Sequence, residues 1–113
     1  MNKYLVLACF SAHNMDDDEL WSNQWLVGTF ESLEECYTKC ENDLEQVGKD
    51  SLEGRYDDEE EFEEEVKFYL SGKEISHRTE DDFIGNNPVT ILSNDYWTDE
   101  HREMINYIVV KIG

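Results

Sequence analysis

Short apolar runs in the first third of the chain predict β-strands. KYLVLACF (Lys3–Phe10) and QWLVGTF (Gln24–Phe30) are rich in branched and aromatic residues and are shorter than most helices. We expect these two strands to pair antiparallel. The polar stretch between them, residues 11–23, is long for a hairpin connection and predicts a surface loop, in which residues 16–21 fit a single helical turn. Such a loop is a candidate contact surface.

The last third of the chain predicts further strands separated by turns. INYIVVKI (Ile105–Ile112) is largely β-branched and predicts a final strand. Three of its branched residues share one face: Ile108, Val110 and Ile112. A turn at Gly85–Pro88 precedes a predicted strand over Val89–Leu92, and residues 73–78 predict a shorter one. Between Leu92 and the final strand we expect a loop with one helical turn capped by Thr98.

The stretch SLEECYTKCENDLEQVG carries the clearest helical pattern. Ser32 and Glu35 predict a capping box, in which the hydroxyl and the carboxylate each accept a backbone N–H at the helix start. An apolar stripe follows at steps of three and four residues: Leu33, Cys36, Tyr37, Cys40, Leu44 and Val47. Gly48 stands where a left-handed residue commonly ends a helix, so we expect the helix to cover residues 32–47.

A second helix is predicted in YDDEEEFEEEVKFYL (Tyr56–Leu70). Asp57 is the expected N-cap, with Glu60 three residues later, and Gly72 is the expected end of the helix. A narrow apolar stripe points inward, formed by Phe62, Val66 and Tyr69, and Leu70 is a candidate fourth member. The packing of this stripe has to offset the repulsion between glutamates four residues apart.

The order of these elements is β-β-α-α-β-β. It predicts an α+β fold, with two helices covering one face of a mostly antiparallel sheet of about four strands. A chain of 113 residues has the size of one domain, and no repeat or linker divides it. We therefore expect residues 1–113 to share a single core.

The net charge is the unusual property of the composition. Nine Lys and Arg against 28 Asp and Glu give −19 at pH 7. A net charge of about 2–8 in magnitude already keeps a small domain soluble, and a larger one destabilises the compact state by self-repulsion. The excess suggests a use beyond solubility, although adaptation to high salt produces the same excess. With 39% hydrophobic residues, the chain is too apolar to be a disordered acidic tail.

The acids are also concentrated locally. Residues 31–65 hold 16 acids and three bases, whereas residues 66–113 hold eight acids and five bases. Eight acids fall within residues 57–65 alone. A helix rises about 1.5 Å per residue, so this run carries roughly one charge per 1.7 Å, close to the axial charge density of duplex DNA. This asymmetry favours a directed acidic surface over a general adaptation to salt.

The candidate partner-binding residues follow from this concentration. The first group is the acidic run: Asp57, Asp58, Glu59, Glu60, Glu61, Glu63, Glu64 and Glu65. The second group joins the predicted loop to two tryptophans, a residue type that often anchors interfaces: Asp16, Asp17, Asp18, Trp21 and Trp97. Such a surface attracts the Lys and Arg side chains of a basic protein and repels nucleic acid itself. The alternative interpretation is a solvated helix face without a partner.

No catalytic, metal or cofactor signature accompanies the acids. The three histidines, His13, His77 and His101, lie in polar contexts that no motif links, so we expect no enzymatic activity. Cys9 lies within a predicted strand, and Cys36 and Cys40 lie on the helical stripe, so all three are expected to be buried core thiols. No glycine is placed to form an EF-hand loop, and we expect neither a metal nor a cofactor.

The odd number of cysteines and the lack of a targeting or membrane-spanning segment predict a cytoplasmic protein with no membrane partner.

In size, acidity and α+β layout the chain resembles small phage-encoded inhibitors of bacterial defence, the anti-CRISPR and anti-restriction DNA mimics. The stretch DDEEEFEEE contributes most to this resemblance. The resemblance carries no residue-level equivalence.

This resemblance implies a non-enzymatic inhibitor in the host bacterial cytoplasm. Its acidic, nucleic-acid-mimicking surface would face the basic nucleic-acid-binding site of a partner such as a CRISPR effector or restriction nuclease. Immunity proteins and antitoxins that neutralise basic nuclease toxins share the same character. An acidic structural or regulatory protein without mimicry is a third hypothesis. A homodimer is compatible with each of them.

Overall fold

The computed structural model describes all 113 residues and contains two helices and one five-stranded antiparallel sheet. In chain order the elements are β1 (Tyr4–Asn14), β2 (Glu19–Phe30), α1 (Leu33–Leu52), α2 (Glu59–Leu70), β3 (Lys73–Ile75), β4 (Val89–Trp97) and β5 (His101–Lys111). The strands lie in the order β2-β1-β5-β4-β3, and a short 3₁₀ turn covers Glu80–Asp82. The predicted α+β fold is confirmed. The sheet has five strands rather than about four because β3 pairs with β4 at the edge.

The predicted surface loop over residues 11–23 is wrong. The β1 and β2 strands continue through it and pair as far as Asn14 and Glu19, leaving only a four-residue turn without the expected helical turn. Asp18 in that turn has a φ of 54°, in the left-handed region that aspartate tolerates better than most residues. The polar residues are compatible with strands here because the outer half of β2 is exposed, so its side chains do not have to be apolar.

The loop expected between Leu92 and Ile105 is also wrong. The β4 and β5 strands extend into it and pair from Val89 with Val109 to Trp97 with Arg102. Instead of capping a helical turn, Thr98 closes a tight turn, in which its backbone N–H donates to the carbonyl of His101 across 2.7 Å. The buried apolar residues of β5 are Ile105, Tyr107 and Val109, so the predicted face of Ile108 and Val110 points away from the helices.

The first helix is longer than predicted. The Ser32 hydroxyl accepts the N–H of Glu35 across 3.2 Å, which is one half of the predicted capping box. The other half is wrong, because the Glu35 carboxylate does not accept the N–H of Ser32. Gly48 does not end the helix, which continues to Leu52. This glycine is buried, and a Cβ on it would lie 3.0 Å from the ring of Tyr69. Its missing side chain therefore permits the close approach of α2 to α1.

The second helix begins one residue later than predicted, because Asp58 rather than Asp57 is the N-cap. The Asp58 carboxylate accepts the N–H of Glu60 across 2.9 Å. The helix ends at Leu70, and Gly72 lies beyond it against the backbone of β4. A Cβ on Gly72 would lie 2.0 Å from the carbonyl oxygen of Asp95, so this contact requires glycine.

A single core fills the space between the two helices and one face of the sheet. It contains 17 buried residues, among them Val6 and Ala8 of β1, Leu44 of α1 and Tyr107 of β5. Neither helix combines the length and the apolar character that crossing a membrane requires.

Candidate protein-interaction surface

Both helices are oriented by contacts with β4 and β5. In α1, Asp43 accepts the hydroxyl of Tyr107 across 2.7 Å, and Ser51 donates to Glu103 across 2.8 Å. Ser51 follows Asp43 in α1, and its partner Glu103 lies nearer the start of β5 than Tyr107 does. The helix α1 therefore runs toward the end of the sheet that holds the β1–β2 and β4–β5 turns. We call this end of the sheet the turn end. The 53–58 connection therefore lies there, and α2 starts there and runs back.

Two hydrogen bonds confirm the direction of α2. The side chain of Asn94 donates to the carbonyl of Tyr69 across 3.0 Å, and the hydroxyl of Tyr96 donates to Glu65 across 3.0 Å. Moving from Tyr69 to Glu65 thus follows β4 toward the turn end. The preceding residues, from Glu64 back to Asp57, extend further in that direction.

The glutamates of α2 divide into five that face solvent and one that does not. Glu59, Glu60, Glu61, Glu63 and Glu64 are exposed, whereas Glu65 is half-buried against Tyr96. At about 100° per residue, the five exposed positions spread over roughly 200° of the helix surface, and Glu65 borders the buried stripe. The five exposed glutamates of the six-residue run Glu59–Glu64 present about one outward charge per 1.8 Å of helix axis.

None of the acids from Asp57 to Glu65 forms an ion pair. The ion pairs of the protein involve other acids, such as Glu45 with Lys49, Glu41 with Lys73, and Asp95 with Arg102. The acidic run is thus ordered by its helix and its cap while its charge stays uncompensated. Unpaired, exposed carboxylates are free to bind the cations of another molecule.

Acids from two other segments lie at the same end of the sheet. Asp16, Asp17 and Asp18 are exposed in the β1–β2 turn. The β4–β5 turn adds Asp99 and Glu100, and the Glu100 carbonyl accepts the N–H of Met15 across 2.9 Å, which joins the two turns. We call the acids of these three segments the acidic end: Asp16–Asp18, Asp57–Glu64, Asp99 and Glu100.

The two candidate tryptophans lie on opposite faces of the sheet. Trp21 is 46% exposed on the helix side, and its ring centroid is 6.0 Å from that of His101. Trp97 is 66% exposed and pairs with Arg102, on the side that no helix covers. The structure therefore brings Trp21, but not Trp97, to the helix side of the sheet, where α2 lies.

A groove of about 770 Å³ lies beside Trp21, between α1 and the β1–β2 hairpin. Phe10, Trp21 and Trp25 form its aromatic wall, and Asp50 and Arg55 line its opposite side. The indole N–H of Trp25 donates to Asp43 across 3.0 Å, which fixes one wall of the groove to α1.

A buried carboxylate, Glu103, lines the groove and is only 4% exposed. One of its oxygens accepts the hydroxyls of Ser51 and Tyr69, and the other lies 2.6 Å from Nε2 of His101. Ser51 donates to Glu103 and not to His101, so Ser51 and His101 do not form a Ser–His pair. The network therefore fixes the positions of α1, α2 and His101 around the groove.

Burial shifts the titration of the groups in this region. Desolvation, and then the neighbouring Glu103 carboxylate, raises the pKa of Tyr69 above its usual 10.0. Desolvation and the hydrogen bond to Asp43 raise the pKa of Tyr107 in the same way. Both phenols stay protonated at neutral pH and act as hydrogen-bond donors.

The cysteines occupy two different environments. Cys36 and Cys40 are buried as predicted, and burial raises their pKa to about 11 and about 12. The expectation of a buried Cys9 is wrong, because its side chain is half-buried on the sheet face that no helix covers. Nowhere does the structure gather three or more His, Cys, Asp or Glu side chains in an arrangement suited to a metal ion.

Sequence reasoning missed Asp99 and Glu100, because they were assigned to an irregular segment with no defined position. It also missed the His101–Glu103 pair. The spacing of two residues in HRE places both side chains on one face of a strand, so a correct strand assignment would have found this pair. Comparison of the chain with protein-family models, curated proteins and solved structures finds no match.

Proposed function

We propose that the protein is a non-enzymatic inhibitor that presents its acidic end to the basic nucleic-acid-binding site of a partner protein. One observation carries this proposal: three separate segments bring exposed acids to one end of the sheet, and none of the acids from Asp57 to Glu65 has an ion-pair partner. A site that binds nucleic acid is rich in Lys and Arg and therefore complementary to this end.

The charge spacing supports nucleic-acid mimicry. One outward charge per about 1.8 Å along α2 is close to the one charge per about 1.7 Å of duplex DNA. The surrounding acids of the two turns widen the negative surface beyond the helix. A CRISPR effector or a restriction nuclease is the proposed class of partner, and Trp21 at the groove is the proposed aromatic anchor.

Two details fit the proposed setting. Each exposed carboxylate of α2 is displayed on a helix whose N-cap and core contacts are formed within the chain, so binding does not have to order it. The three cysteines are free thiols, which suits a reducing compartment, and the proposal assigns the protein to the cytoplasm.

The experiment measures DNA binding by a panel of defence nucleases with and without the protein. Nuclease toxins belong to the same panel, because an immunity protein would use the same acidic surface. Inhibition is expected to weaken steeply between about 0.05 and 0.2 M salt, as electrostatic association does. The test variant reverses Glu60, Glu61 and Glu64 to Lys, which raises the net charge from −19 to −13.

A matched control separates the position of the charge from its amount. Reversing Glu31, Glu74 and Asp81 to Lys also gives −13, but these exposed acids lie outside the acidic end. We expect the first variant to lose inhibition and the control to retain most of it, with both folded by circular dichroism. Full inhibition by the first variant would overturn the proposal. An equal loss of inhibition in both variants would show that inhibition depends on the net charge and not on the acidic end.

A further inference from the structure

One face of the sheet has no helix against it. Alternate residues of β1, β2, β4 and β5 point away from α1 and α2, as the strand pairing shows. We call this surface the open face. Its apolar residues are Leu5, Leu7, Leu20, Leu26, Trp97, Met104, Ile108 and Val110.

The register makes part of this set contiguous. Leu26 pairs with Leu7, Leu7 pairs with Ile108, and Leu5 pairs with Val110, so these side chains form neighbouring rows across three strands. Leu26 is 58% exposed and Met104 is 41% exposed. Large contiguous apolar patches are rare on the surface of soluble monomers and commonly mark interaction sites.

The open face is nearly neutral, unlike the rest of the protein. Its strand positions hold two acids, Asp95 and Glu74, and one base, Arg102. The Asp95 carboxylate accepts two hydrogen bonds from the Arg102 guanidinium across 3.1 and 2.7 Å, so this pair cancels. In a chain of net charge −19, most of the charge therefore lies elsewhere.

This charge distribution indicates which molecule binds the open face. Two copies of a chain with a charge of −19 repel each other at most orientations, and the open face is where they meet with the least opposing charge. A basic partner, by contrast, is attracted to the acidic end and finds almost no carboxylates here. We propose that two copies of the chain associate through their open faces as a symmetric homodimer.

The area is sufficient for such a dimer. Strands of about 11 residues extend roughly 36 Å, and four of them span about 14–19 Å, which gives a footprint of about 500–700 Å² per copy. The two copies together bury about 1,000–1,400 Å², at the lower end of specific protein–protein interfaces. Two sheets packed face to face, about 10 Å apart, form the same kind of interface as a β-sandwich.

The dimer is compatible with the charge of the helices. Each helix layer lies on the outer side of its sheet, so the α2 helices of the two copies are separated by about 30 Å, well beyond the Debye length of about 8 Å at physiological salt. Repulsion between the β1–β2 turns favours an arrangement in which they lie at opposite ends. The acidic end of each copy stays accessible, so this proposal is independent of the proposed function.

The experiment is sedimentation equilibrium from about 1 μM to about 1 mM protein, at about 0.05 and 0.5 M NaCl. We expect a mass of twice 13.4 kDa at the higher concentrations, and tighter association at the higher salt, where repulsion is screened. This salt dependence is opposite to that expected of binding at the acidic end. A particle of 13.4 kDa at all concentrations and both salts would overturn the proposal, and so would a dimer that salt weakens.

Variants of the open face test its position. Leu26→Glu and Met104→Glu replace exposed residues and are expected to raise the dimer dissociation constant at least about tenfold, because symmetry introduces each charge twice. Ile84→Glu is the matched control, since Ile84 is 74% exposed in a loop outside the sheet. Dimerisation that survives both open-face variants, or that Ile84→Glu removes to the same extent, would exclude the open face as the interface.

A second measurement does not depend on substitution. Cys9 pairs with Gln24 on β2 and Asn106 on β5, in the middle of the open face. Its alkylation by iodoacetamide is expected to slow several-fold as the protein concentration rises through the dimer dissociation constant. An alkylation rate that is the same in monomer and dimer would show that the interface lies elsewhere.

Discussion

The hydroxyl of Tyr69 donates to the carboxylate of Glu103 across 2.9 Å, and this hydrogen bond joins the acidic helix α2 to the central strand β5. The two residues are 34 positions apart in the sequence and both are buried. The bond holds α2 while the glutamates on its outer side repel one another, so display of the acidic end depends on buried polar contacts as well as on apolar packing.

Replacing Tyr69 with Phe is expected to lower the free energy of unfolding by about 1–3 kcal/mol, because the buried Glu103 carboxylate loses a donor and stays buried. Urea denaturation measures the change. Tyr4→Phe is the control: the Tyr4 hydroxyl lies 3.3 Å from the exposed Glu80, which water can solvate, so we expect a smaller loss. Equal losses in both variants would argue against a special contribution from the Glu103 network.

Gly72→Ala is expected to destabilise the protein by more than about 2 kcal/mol. The added methyl group would lie 2.0 Å from the carbonyl oxygen of Asp95, and a backbone atom within a sheet cannot move aside as a flexible side chain does. Ser71→Ala, at the neighbouring exposed position, is expected to change stability by less than about 1 kcal/mol. The thermal midpoints of both variants test this difference, and similar midpoints would contradict the close contact.

Stability is expected to fall as the pH rises above about 9. Cys36 and Cys40 have a pKa of 9.0 in the unfolded chain, and burial raises their pKa to about 11 and about 12 in the folded protein. The raised pKa values of Tyr69 and Tyr107 lower the stability further above pH 10. The folded state then binds more protons than the unfolded state. Each group removes about 1.4 kcal/mol per pH unit within its own window.

Urea denaturation between pH 8 and 10.5 measures this dependence. The stability that these four groups contribute is fully present below pH 9 and decreases above it. Tyr107→Phe is expected to reduce the slope above pH 10 while leaving the slope between pH 9 and 10 unchanged. A constant free energy of unfolding across this range would contradict the predicted burial of the thiols and phenols.

Added salt is expected to stabilise the isolated protein. Raising the ionic strength from about 0.01 to 1 M shortens the Debye length from about 30 to about 3 Å and screens pairs such as Glu59–Glu63 and Glu60–Glu64. A gain on the order of 1 kcal/mol corresponds to roughly 4–8 °C in the thermal midpoint. Replacing Glu60, Glu61 and Glu64 with Gln should reduce the gain, and the same gain in this variant would place the dominant repulsion outside α2.

Local pattern was enough to predict the parts of the fold that depend on neighbouring residues. The helical stripe and Ser32 predicted the start of α1, and the apolar runs predicted the inner halves of β1, β2 and β5. The glutamates of the acidic run were correctly expected to lie on a helix, because the apolar residues among and after them recur at helical spacing. These properties depend on spacing and capping, which a sequence displays directly.

Tertiary contacts decided where each element ends. A glycine commonly ends a helix, so the sequence indicated an end of α1 at Gly48. In the structure Gly48 lies within α1, where it packs against the ring of Tyr69. The outer halves of the hairpins are polar because one side of the sheet is uncovered, so hydrophobicity alone could not identify them as strands.

The sequence alone determined the charge, its concentration in one run and the α+β class, because these follow from composition and periodicity. Only the tertiary structure decided that Glu65 is half-buried against Tyr96, that Asp16–Asp18 and Asp99 lie at the end of the sheet where α2 starts, and that one face of the sheet stays open. The physical reason is that strand pairing and helix direction bring distant residues together, and no local pattern encodes those distances.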